Sequence, residues 1–148
     1  EREVCRASPD PGRFLAKLLP AIPSALRVVN HTHPEYATSL GAFLAQTQAT
    51  AMLMRGTEGE PVADARRLPA LRCFVDGIPD DTLSVEAQGG SLLEVPDLPP
   101  AIDAPATAAF IRSLLAGALP VPAPIIRQVN SLMALRERAS QQLRPEAG

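Results

Sequence analysis

Apolar residues in this chain fall into short blocks, and most of the blocks are bounded by proline or glycine. The spacing inside each block predicts its structure. Phe14, Leu15, Leu18 and Leu19 lie at helical spacing over Gly12 to Leu19, with Pro20 and Pro23 as stops. Ala25 to Val29 is apolar but too short for periodicity to separate strand from helix. The longest predicted helix runs from about Pro34 to Arg55. Tyr36, Leu40, Phe43, Leu44, Thr47, Ala51 and Met54 form one stripe along it. Pro34 suits the first turn, Thr32 or His33 could cap it, and Gly56 is a plausible stop. No charge falls between Glu35 and Arg55, so this helix is expected to be central or to lie in an interface.

Farther along, a short helix is expected over Pro61 to Leu68. Leu71 to Val75 is apolar and runs into Asp76-Gly77, a turn signal. Leu83 and Val85 alternate with Ser84 and Glu86. With Gln88-Gly89-Gly90 as the turn and Ser91 to Val95 as the second arm, this reads as a β-hairpin. Past the proline-rich connector Pro96 to Pro105, Asp103 can cap a helix over Pro105 to Ala116, with Gly117 as its end. Leu119 to Pro124 reads as a stiff linker. A last helix runs to about Leu143, with Ile125, Val129, Leu132, Met133 and Arg136 on one face. The two C-terminal helices are expected to pair antiparallel. The resulting architecture is mainly α: four to five helices with one β-hairpin, proline-punctuated, with α/β as the alternative. It divides into a flexible segment at 1–11, one domain over 12–143 and a tail at 144–148.

Composition narrows the function. A length of 148 residues suits one domain with its own core. Trp is absent and there are one Tyr and four Phe, so the core is aliphatic and base stacking is disfavoured. The net charge is −2 and no basic stripe is visible, which argues against nucleic acid as a partner. All basic residues but Lys17 are arginine; with the many Ala and Pro, this fits a GC-rich genome. The uncharged stretch Tyr36 to Met54 contains Thr, Ser and Gln, which disfavours a membrane span. The chain starts at Glu1 with no hydrophobic signal segment, which is read as a processed chain or a fragment.

Candidate chemistry is sparse. His31 and His33, the only histidines, make a His-x-His pair, whereas a catalytic zinc site takes three protein ligands and a water. They are weak metal candidates, and no cofactor is expected. The string His31-Thr32-His33-Pro34-Glu35-Tyr36, entered by Leu26-Arg27-Val28-Val29 and followed by an apolar helix, resembles the His-x-His-x-Asp-His signature of the metallo-β-lactamase family. Glu35 and Tyr36 stand where the family has Asp and His, so the resemblance implies a degenerate relative without a complete metal site. Cys73 reads as a buried, inert thiol, and Asp80-Asp81 as an exposed turn.

No catalytic constellation is complete, so the chain is expected not to be an enzyme. The expectation is a non-enzymatic structural or protein-interaction module, a subunit or fragment of a larger assembly, engaging a protein partner or a second copy. Its interface would draw on Tyr36, Leu40, Phe43, Leu44, Met54, Ile111, Leu115, Ile125, Val129 and Leu132. A second reading is a secreted, cytokine-like helical ligand. It rests on the Asn30-His31-Thr32 sequon and a Cys5–Cys73 bridge.

Overall fold

A computed structural model describes residues 25–56, 62–89, 98–101 and 103–142. In chain order its elements are β1 (Arg27–His31), α1 (Glu35–Gln46), β2 (Ala51–Arg55), β3 (Leu71–Val75), β4 (Ile78–Pro79), α2 (Ala104–Leu115) and α3 (Ala123–Gln142). The strands form one mixed sheet in the order β1-β2-β3-β4. β1 runs parallel to β2 with Val29 opposite Leu53; β2 and β3 are antiparallel with Met52 opposite Cys73. The mainly α architecture is therefore corrected to α/β, with three helices and a four-stranded mixed sheet among the described residues. A parallel pair needs a crossover connection, and α1 supplies it.

The main reassignment lies in the stretch 34–55. The helix stops at Gln46, and residues 51–55 are a strand. Its end is a Schellman motif without glycine: Gln48 takes the left-handed conformation at φ 48°. The Gln48 amide donates to the Ala45 carbonyl at 3.2 Å and the Ala49 amide to the Leu44 carbonyl at 2.9 Å. Leu44 and Ala49 sit in one core cluster, the apolar contact that accompanies this motif. Ala51 to Met54 is apolar on both faces because β2 is an interior strand covered on both sides. Such a run is indistinguishable from buried helix by periodicity. The lack of charge on α1 also has a plain cause: its outer face is Thr38, Ser39, Ala42, Ala45 and Gln46, all exposed. Neither Thr32 nor His33 caps α1; Pro34 is the N-cap residue and no side chain bonds there.

The core has two layers. On one face of the sheet, Val29, Ala51, Leu53 and Phe74 pack with Leu40 and Leu44 of α1. On the other, Met52, Met54, Leu71, Cys73 and Val75 pack with Leu135 of α3. Gln128 ties α3 to the sheet and to the loop after β2. Its Oε1 accepts from the buried Ala63 amide at 2.8 Å, and its Nε2 donates to Met54 Sδ at 3.2 Å.

Three local expectations change as well. Residues 62–68 are irregular rather than helical. The arm 82–86 is not a strand: Val85 alone bridges Leu71, through two backbone hydrogen bonds of 2.8 Å. Its intended partner at 91–95, like the helix at 12–19, lies outside the described residues. The hairpin of this fold is instead β3–β4, closed by Asp76 (φ 49°) and Gly77 (φ 79°), the two positive-φ residues a type I′ turn requires. The ends of α2 behave as expected. Asp103 Oδ1 accepts from the Ala106 amide at 2.8 Å, and Gly117 closes the helix at φ 71°. The two C-terminal helices do not form the expected close pair; α2 packs extensively against no other described element.

Candidate functional site

A cleft of about 540 Å³ opens at the carboxyl ends of β1 and β2, beside the first turn of α1. This is where α/β sheets place their ligand sites. Strand register builds its charged wall. His31 ends β1 opposite Arg55 of β2, and Arg72 of β3 stands opposite Leu53. Residues two apart on a strand share a face. His31, Leu53, Arg55 and Arg72 therefore project from the α1 side of the sheet as neighbours. Arg67 adds a third guanidinium to the lining. The floor is apolar, from the half-buried Ala37, Pro69 and Ala70, with Leu53 and Leu68 buried beside them. Among the described residues Asp64 is the one acidic residue lining the cleft, and its Oδ1 accepts from the Arg66 amide at 2.8 Å. The only ion pair among the described residues lies elsewhere, between Arg138 and Asp80 at 3.7 Å.

The two histidines do not act as a pair. His31 Nδ1 donates to the His33 carbonyl at 3.0 Å, while the His33 ring stands edge-on to Tyr36. Among the described residues no three His, Cys, Asp or Glu side chains cluster as a metal site would require. The chain shares with the metallo-β-lactamase pattern the His-x-His pair and its place between a strand and a helix, the latter a feature of any βαβ unit.

Cys73 is buried, and its Sγ donates to the Leu83 carbonyl at 3.4 Å. Burial, with Asp80 nearby, pushes its thiol up to about 11. A thiol held protonated in this way is a poor nucleophile. Asp80 organises the turn after β4. Its Oδ1 accepts from the Thr82 hydroxyl and from the amides of Thr82 (2.9 Å) and Leu83 (3.2 Å). These bonds, the Thr82 hydroxyl foremost, hold its carboxyl below the usual value.

The expected interface residues divide by exposure. Leu40, Leu44 and Met54 are buried in the chain's own core, and Tyr36 packs half-buried beside the Leu40 and Leu44 layer. Phe43 is half-buried. Ile125 and Leu132 pack at the edge of the α3 layer. Ile111 and Leu115 of α2 and Val129 of α3 face solvent, Leu115 at 84% exposure. Ile126 and Met133 extend the α3 stripe at i, i+3 and i+7 spacing and are exposed as well. No local sequence window contains the cleft, because its arginines are 12 and 5 residues apart (55, 67, 72). The sequence signal for it was an arginine near the edge of an apolar run, at Arg55 and at Arg72. No helix of the described residues is long and apolar enough to cross a membrane.

No protein-family model matches the chain. Over 118 residues, 78% of its length, it is 34% identical to a protein of Escherichia coli (strain K12), "Uncharacterized protein YbiB". It spans 35% of that relative's length.

Proposed function

We propose that the chain is a non-enzymatic interaction module that docks through the outer apolar faces of α2 and α3 onto another protein surface of a larger assembly. The observation that carries this reading is α2 itself. It is a complete helix, capped at both ends, with no buried residue and no extended contact to the sheet. Helices of this length are marginal in water without packing. Ile111 and Leu115 on α2, with Ile126, Val129 and Met133 on α3, are apolar side chains left in solvent. Larger exposed apolar patches mark interaction sites. The E. coli relative carries a similar region within a much longer polypeptide, which is consistent with further protein covering these faces.

The test is photo-crosslinking in the intact protein, in the cell that makes it, with a benzophenone side chain at position 115 or 129. The expected result is a discrete protein–protein cross-link from both positions, mapped by mass spectrometry and lost when Ile111 and Met133 are changed to Asp. No cross-link from either position would overturn the proposal.

A further inference from the structure

The cleft at the strand ends carries more positive charge than the fold explains. Arg55 and Arg72 lie on one face of adjacent strands in diagonal register, and His31 adjoins Arg55 across the parallel pair. The two guanidiniums, diagonal neighbours on one sheet face, repel each other. Arg67 joins them, and none of the three guanidiniums forms an ion pair among the described residues. The volume, about 540 Å³, falls in the range of small-molecule sites. We propose that this cleft binds a small organic phosphate, its phosphoryl group held by Arg55, Arg67 and Arg72 and its apolar portion resting on Ala37, Pro69 and Ala70.

Phosphate is favoured over carboxylate by charge. A dianion with three terminal oxygens offers three guanidiniums more acceptor sites and twice the charge of a single carboxylate. The apolar floor calls for a carbon-bearing ester rather than free phosphate. No Phe, Tyr or Trp among the described residues lines the cleft.

The probes are phenyl phosphate, inorganic phosphate and benzoate, titrated at constant ionic strength by isothermal calorimetry and by thermal shift. Phenyl phosphate is expected to bind tighter than inorganic phosphate, which reports the apolar floor, and tighter than benzoate, which reports the dianion. Arg55→Gln and Arg72→Gln are each expected to weaken phenyl phosphate about tenfold or more, the scale of one lost charge-assisted hydrogen bond. Both residues are exposed, so both variants should keep the wild-type circular dichroism spectrum. Arg138→Gln, away from the cleft, should bind as wild type. The proposal is overturned by an absence of saturable phenyl phosphate binding. It is also overturned by equal loss in Arg138→Gln, or by an affinity that follows ionic strength and not ligand identity. None of these results touches the α2 face, so this proposal and the docking proposal fail separately.

Discussion

Truncating Leu135 to Ala should separate the part of α3 that holds the fold together from the part left for a partner. Leu135 is fully buried and belongs to the cluster of Met52, Met54, Leu71, Cys73 and Val75 on the α3 side of the sheet. It is the one buried hydrophobic residue that α3 contributes to this layer. Removing a buried leucine's outer carbons costs their transfer free energy plus the cavity left behind, about 3 kcal/mol in a site that relaxes little. With an m-value of about 2 kcal/mol/M, the urea midpoint should fall by about 1.5 M. Leu115→Ala is the matched control. At 84% exposure it loses almost no burial, so its midpoint should move by less than about 0.3 M, in line with ordinary surface substitutions. The assay is urea unfolding followed by circular dichroism and by a second probe, to confirm a single transition. Equal midpoints for the two variants would refute the placement of α3 against the sheet.

The other expectations test the turns, the caps and the thiol. Gly77→Ala should destabilise by more than the usual glycine cost of about 1 kcal/mol. Its φ is 79°, and a Cβ there would lie 2.6 Å from the Ala45 carbonyl oxygen. Thermal melts against Gly117→Ala, where the added Cβ meets nothing within 4 Å, check this. Asp103→Ala should lower stability by about 1 kcal/mol if α2 folds with the domain, because it removes the cap on the Ala106 amide. The folded Cys73 thiol is raised from 9.0 to about 11, so folding favours its protonated form. The stability this gives is fully present below pH 9 and is lost as pH rises through about 11. Cys73→Ser should flatten that alkaline fall in a stability–pH profile, and a thiol reagent at pH 8 should reach wild-type Cys73 only on unfolding.

Local signals with a single physical cause were legible in the sequence. Asp103 before an apolar periodic run and Gly117 after it mark α2 because a cap needs a short acceptor and a left-handed residue. Asp76-Gly77 marks a turn for the same kind of reason, although the hairpin it closes was expected at 82–95. What failed was the choice between helix and strand where burial is two-sided. Ala51 to Met54 continues the i, i+4, i+7 stripe of α1 by coincidence, and the helix end before it is closed by Gln48, where glycine is the usual signal. The alternation of Leu83 and Val85 was real, yet it serves one bridge to Leu71 and the half-buried packing of both side chains, not a strand. The cleft depended on knowing the sheet. His31, Arg55 and Arg72 become neighbours only through the β1-β2-β3 register, which no local window contains.

The most direct measurement of the docking proposal is amide hydrogen exchange, peptide by peptide, on the purified chain and on the assembly isolated from its cell. α2 lacks extended packing, so its amides should exchange in the isolated chain far faster than those of β2 and β3, and should become protected in the assembly. Residues 104–115 protected as strongly as β2 in the isolated chain, with no change in the assembly, would contradict a docking role for this helix.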